Sequence, residues 1–245
     1  MKLNKFLQPV IDTQKIRMAP SAYRKYVQDW LRYNQLSQHG SLPYNDAYPC
    51  LFDDTKSTSF DAHYLYQSVW AFRSIYDRKP EVHVDIGSDS LFIGIATTIT
   101  KVFFVDIRPL KLRLAGYYPI HGDILSLPFG DNTVTSLSCM HVAEHIGLGR
   151  YGDQLDPQGT DKAMKEIQRV LAKGGYLYFS LPVGRPRVCF NAHRIHSPAY
   201  IVSCFNELSL QEFSGIDDKG RFRTNISPEN FENESYACGL YLFTK

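Results

Sequence analysis

From residue 80 onward, short apolar runs alternate with amphipathic stretches. Val82–Ile86 (VHVDI) predicts a strand that breaks at Gly87, and Lys101–Asp106 (KVFFVD) a second one rich in β-branched and aromatic residues. A third short strand is expected to end near Gly122-Asp123, a fourth spans 133–140, and a fifth spans 176–181 and closes on Pro182. Between the last two, residues 161–171 place Ala163, Ile167, Val170 and Leu171 on one helical face. Thr160 is the expected N-cap and Gly174-Gly175 the expected left-handed stop. The stretches 208–216 and 236–244 read as two more strands, separated by a long polar loop and suited to an antiparallel pair at one edge. Such alternation predicts a mostly parallel sheet with helices on both faces.

The first 79 residues have another texture. Tyr23, Tyr26, Val27, Trp30 and Leu31 recur at helical spacing behind Ser21, the expected cap. Residues 42–61 hold Pro43, Pro49 and many Ser, Thr and Asp, so they read as loop. A second helix over 63–76 has to stop before Pro80. The predicted division is therefore a helical extension, 1–79, and an α/β domain, 80–245.

Composition narrows the function classes. A net charge of +2 on 245 residues, without a basic run, argues against a nucleic-acid partner. The 5 cysteines are scattered and never form C-x-x-C, which fits buried thiols in a reducing compartment. Polar residues interrupt Met1 to Phe6 before any leader-like apolar stretch forms, and no run reaches the roughly 20 apolar residues of a membrane span. The expectation is a cytoplasmic protein without membrane insertion. Nothing in the pattern sets an oligomeric state.

In an open parallel sheet, ligands bind beyond the carboxyl ends of the strands. The polar residues at those positions are Asp85, Gly87, Ser88 and Asp89, then Asp106, Asp123, and the group His141, Glu144 and His145. They suit a positively charged cofactor that carries a nucleoside. Gly87 lets the backbone approach the ligand because it has no Cβ. Asp106 is placed to accept from two ribose hydroxyls. Asp123 is placed to accept from an adenine amino group, with Ile124 against the ring. Asp85 and Ser88 are further candidates at the same strand end.

The succession D-I-G (85–87), V-D-I (105–107), G-D-I-L-S-L-P-F-G-D-N-T-V (122–134), H-V-A-E-H-I (141–146) and E-I-Q-R-V-L-A-K-G-G-Y-L-Y-F-S-L-P (166–182) resembles class I S-adenosylmethionine-dependent methyltransferases over about a hundred residues. Residues 141–156 further resemble an uncharacterised methyltransferase-like family shared by nematodes and bacteria. The resemblance implies a Rossmann-like fold with a seven-stranded sheet and an antiparallel edge strand. It also implies S-adenosylmethionine as cofactor and O- or N-methylation of a small-molecule or sugar-like acceptor. His141 or His145, with Glu144, is then the candidate base, and Tyr151, His193, Arg194 and His196 are candidate acceptor contacts. The family's second glycine after D-I-G is replaced by Asp89, whose carboxylate is a candidate partner for the methionine ammonium. That departure keeps a catalytically silent binding module as an alternative. H-x-x-E-H (141–145) also spells an inverted zinc-hydrolase motif, which needs a helix to bring both imidazoles to one face. The strand before it and Gly147 after it argue against that reading, so no metal is expected.

Overall fold

Eight strands make one sheet, in the order β3-β2-β1-β4-β5-β10-β8-β9. In chain order they are β1 (Val82–Ile86), β2 (Lys101–Asp106), β3 (Tyr117–His121), β4 (Val134–Met140), β5 (Leu171–Val183), β8 (Ser209–Ile216), β9 (Phe222–Arg223) and β10 (Ala237–Thr244). β6 (Arg187–Cys189) and β7 (His193–Ile195) form a separate antiparallel pair. The computed structural model describes residues 11–37 and 40–245, so Met1 to Phe6 lie outside the described residues. Within that range no helix is long and apolar enough to cross a membrane.

Strands β1 to β5 are parallel, whereas β10 runs antiparallel between β5 and β8. The two tail strands pair as the sequence predicts, with the last in the chain lying inside the sheet rather than at its edge. Alternation along β5 explains the layering: Leu177, Phe179 and Leu181 enter one core and Tyr178 the other. Helix α2 (Ala62–Arg78) and α3 (Ser90–Ala96) cover the Tyr178 face, while α4 (Gly159–Val170) and α5 (Pro198–Cys204) cover the opposite one. The chain divides into two compact units, 1–59 and 60–245. Helix α2, grouped by sequence with the extension, belongs to the larger unit because Trp70, Ala71 and Ile75 are part of its core. In the smaller unit, α1 (Thr13–Leu36) buries none of its residues.

Several helix ends differ from the prediction. The cap of α1 is Asp12, which accepts from the amides of Gln14 and Lys15, and Ser21 lies inside the helix. Thr160 is not a cap: α4 begins at Gly159, and the Thr160 hydroxyl donates to Ala143 O at 2.8 Å. The helix also stops at Val170, because Leu171 is already extended and pairs with Val134. Gly174-Gly175 therefore sits within β5, where a Cβ on Gly175 would lie 2.9–3.1 Å from three carbonyl oxygens. The L-P-F turn and the E-I-Q-R stretch have a joint physical role. Glu166 accepts from the Leu127 amide at 2.7 Å, and Arg169 donates to Phe129 O at 3.0 Å, tying α4 to the turn that follows β3.

Candidate functional site

A cleft of about 710 Å³ opens beyond the carboxyl ends of β1, β2, β3 and β4. Gly87, Asp106, Asp123, Ile124, His141, His145 and Tyr151 line it. Apart from Tyr151, a candidate from the loop after Arg150, these are residues expected there from strand-end logic, and four chain segments bring them together.

The nucleoside wall is built first. Gly87 has φ +63°, and its amide donates to Val105 O at 3.1 Å. A Cβ there would stand 3.2 Å from Asp106 Oδ2 and 3.3 Å from both methyls of Val142. The missing side chain therefore leaves a cradle in front of the Asp106 carboxylate. Asp106 Oδ1 accepts from the Arg108 amide at 2.6 Å, which fixes the carboxylate while Oδ2 faces Gly87. Asp123 accepts from the Leu125 amide at 2.9 Å, a turn that leaves Ile124 packed into the core at the cleft floor. An acceptor pair, an apolar floor and a glycine cradle fit a nucleoside with a ribose diol.

Asp85 and Ser88 are placed elsewhere. Both are buried and neither lines the cleft. Asp85 accepts from the Ser88 amide at 2.9 Å and from the Ser138 hydroxyl, and Ser88 Oγ accepts from the Met140 amide. Their part is to shape the turn after β1. Burial outweighs these hydrogen bonds and carries the Asp85 carboxyl up to about 6. Because the Ser138 proton is committed to Asp85, its oxygen accepts from His83 Nε2 at 2.8 Å. His83 Nδ1 then accepts from the Ser136 hydroxyl, also at 2.8 Å. Burial pushes His83 down to about 3. Asp89 does not line the cleft either: its carboxylate caps α3 through the amides of Leu91 and Phe92. The departure from the glycine motif thus serves the helix and leaves the cleft unobstructed.

The stretch after β4 is not a zinc-hydrolase helix. His141 has φ +56°, and Ala143–His145 is a single 3₁₀ turn, so the two imidazoles do not share a helical face. Glu144 is fully buried and accepts from His141 Nδ1 at 2.9 Å, with His145 Nε2 3.6 Å away. Burial raises the Glu144 carboxyl, but His141 more than reverses this and holds it below its ordinary value. Burial likewise opposes charge on His141, yet Cys238 and Glu144 carry it up to about 10, which makes it a poor proton acceptor near neutrality. His145 donates from Nδ1 to Ala192 O at 2.6 Å, so in the neutral ring Nε2 carries the lone pair.

The loop after the 3₁₀ turn forms the outer wall. Asp153 accepts from the amides of Gly147, Gly149 and Tyr151, and although burial opposes it these bonds hold its carboxyl below the usual range. Tyr151 lies between two guanidinium groups, with Arg108 4.6 Å and Arg150 5.0 Å from its ring centre.

The remaining acceptor candidates do not reach this cleft. Arg194 is 5% exposed and donates to Ile146 O at 2.5 Å and Asp156 O at 2.8 Å, so it clamps both ends of the Gly- and Asp-rich loop. Replacing it by Ala should leave Ile146 O without a donor, whereas Asp156 O keeps the Gly159 amide. We expect a loss of about 2–3 kcal/mol, read as a lowered midpoint in urea unfolding; an unchanged midpoint would remove the clamp. His196 stacks on Tyr200, with ring centres 5.6 Å apart, outside the cleft. His193 packs 4.8 Å from the ring of Tyr236.

That contact leads to residues that sequence reasoning missed. His63 and Tyr64, at the start of α2, stack on His141 at 5.6 and 5.4 Å between ring centres, and Tyr236 lies 5.2 Å from His63. Burial, reinforced by His141, pushes His63 down to about 4. These residues come from opposite ends of the larger unit. Packing of α2 on the sheet, together with the strand order, joins them, so no short-range motif marks the group.

Comparison with known proteins agrees with this geometry. Residues 131–232 match a family described as "Caenorhabditis protein of unknown function, DUF268". No curated protein matches the sequence. Among solved structures, the N-methyltransferase NodS from Bradyrhizobium japonicum WM9, in complex with S-adenosyl-l-homocysteine, is similar with a TM-score of 0.54 and 15% identity, over 80% of this chain and 90% of its own. A putative sarcosine dimethylglycine methyltransferase from Galdieria sulphuraria gives 0.53 and 14%, over 73% and 85%. The [4+2]-cyclase SpnF gives 0.51 and 13%, over 71% and 80%. At such identities the likeness speaks to architecture, and with the strand order and the strand-end cleft it establishes that this chain has the Rossmann-like fold of the class I methyltransferases.

Proposed function

We propose that the chain is an S-adenosylmethionine-dependent methyltransferase acting on a small-molecule or sugar-like acceptor, at oxygen or nitrogen. The observation that carries this reading is the Gly87 cradle in front of Asp106, with Asp123 and Ile124 on the same wall. Asp106 would hold the ribose diol, and Asp123 the adenine amino group over Ile124. S-adenosylmethionine supplies a methyl group activated by a sulfonium leaving group, so the protein's work is positioning and proton removal. His145 is the better base of the two histidines. Its Nδ1 is anchored on Ala192 O, which orients Nε2, and Glu144 stands close enough to stabilise the imidazolium that proton uptake creates. Tyr151, held between Arg108 and Arg150, would close the cleft over the cofactor side.

Calorimetry with S-adenosylhomocysteine should give saturable binding at one site per chain, and absence of binding would sink the proposal. His145→Asn should keep that affinity while lowering kcat about 100-fold or more, once an acceptor is found by transfer of labelled methyl groups into small-molecule extracts. An unchanged kcat would exclude His145 as the base. The alternative reading is a cofactor-binding module without methyl transfer. It predicts the same calorimetric binding with no label transferred to any extract fraction.

A further inference from the structure

Beside the cleft, three donor groups converge without a described partner for the site they surround. One ring nitrogen of His63, one of His141 and Cys238 Sγ all lie within 4.8 Å of one another. Cys238 is fully buried, and so nearly is His141. His141 Nε2 is shut off from solvent and has no well-formed hydrogen bond among the described residues. It faces the Cys238 thiol, a weak hydrogen-bonding group, and a second imidazole, so its polar capacity is left largely unmet among the described residues. The opposite nitrogen, Nδ1, is held by the buried Glu144 carboxylate at 2.9 Å. A carboxylate on the far side of an imidazole is the usual way in which a metal-binding histidine is oriented and made more basic.

We propose that His63, His141 and Cys238 form a zinc site. Two imidazoles and one thiolate are borderline-soft donors, the set that favours Zn²⁺ over the hard oxygen-seeking cations. Three protein ligands leave a fourth tetrahedral position for water or another small oxygen or sulfur ligand. With Zn–N of about 2.0 Å and Zn–S of about 2.3 Å, tetrahedral donors stand about 3.3–3.6 Å apart, so the group closes by roughly 1 Å on loading. His63 supplies that movement: it is half-buried, on the first turn of α2, and is the least confined of the three. The site owes nothing to the H-x-x-E-H spelling, because His145 is anchored on Ala192 O and Glu144 acts from behind His141. Of the three ligands only His141 also lines the nucleoside cleft, and the cofactor reading assigns it no cofactor contact, so zinc binding does not rest on that reading.

The test uses the full chain, stripped with a chelator and titrated with Zn²⁺ or Co²⁺ alone. One equivalent of zinc should bind, and the cobalt form should show tetrahedral d–d absorption with a thiolate-to-cobalt charge-transfer band. His63→Ala should weaken zinc at least about 100-fold and Cys238→Ser should abolish the charge-transfer band. Glu144→Gln should weaken zinc by about 10- to 100-fold. His63→Ala leaves every thiol in place, so a stray cysteine site would be unaffected by it. Equal zinc affinity in the wild type and His63→Ala overturns the site, as does a cobalt spectrum without the thiolate band. If Cys238→Ser does not fold, the wild-type cobalt spectrum and His63→Ala still decide. Calorimetry with S-adenosylhomocysteine on the stripped protein separates this result from the fate of the cofactor proposal.

Discussion

Asp106→Ala should weaken S-adenosylhomocysteine binding by about 100- to 10,000-fold. A carboxylate accepting from two ribose hydroxyls makes two charge-assisted hydrogen bonds, each contributing about 1.5–3 kcal/mol. Every 1.4 kcal/mol is a factor of about ten in Kd, which gives the range stated. Little of this loss should come from unfolding. Asp106 is half-buried at a strand end, and its carboxylate accepts from the exposed Arg108 amide. Asp106→Asn keeps an acceptor oxygen without the charge and should fall between the two. Calorimetry on the three proteins, with thermal melts as a folding control, checks the series. An Asp106→Ala protein that binds as tightly as the wild type would mean that the ribose is not held there.

The second large effect is a pH profile. Asp85, at about 6 in the folded protein against 3.8 ordinarily, holds its proton longer when folded. Its contribution to stability is therefore present below pH 3.8 and is lost, to the order of 3 kcal/mol, as the pH rises through 6. His83, at about 3 against 6.5, does the opposite: the unfolded chain takes up the proton first, so stability is lost as the pH falls from 6.5 toward 3. Between pH 4 and 6 the two slopes oppose each other and nearly cancel. Asp85→Asn removes one of them, and the variant should gain about 3 kcal/mol relative to wild type between pH 4 and pH 6. Urea unfolding at half-unit intervals measures this, and parallel profiles for the two proteins would refute it. His83→Asn should tilt the other way.

Much of this architecture was legible in the residues because strands announce their ends. VHVDI and KVFFVD are apolar runs that stop at a glycine or an acid, and both appear as strands with the predicted bounds. Since ligands in such sheets bind where strands stop, Gly87, Asp106, Asp123, Ile124, His141 and His145 could be collected without knowing the pairing. What escaped depends on contacts across the fold. Gly174-Gly175 looks like a helix stop, but pairing of Leu171 with Val134 draws the chain into the sheet first, and the glycines serve close strand approach. Arg194 looks like an acceptor contact because a charged residue in a polar loop usually faces water; here two backbone carbonyls of another loop claim it. Asp89 looked like a lost glycine and is a helix cap. His63 and Cys238 stand 175 positions apart and meet because α2 packs on the sheet face where β10 lies beside β5 and β5 beside β4.

The interior position of β10 also bears on how the protein is made. Strands β8 and β9 join the sheet only through β10, which pairs with β5 on one side and β8 on the other. Until residues 237–244 pair with it, β5 has an unsatisfied edge. Such an edge invites pairing with other nascent chains. Insertion of β10 ends that exposure and in the same step delivers Cys238 beside His141, so completion of the sheet and assembly of the donor group are one event.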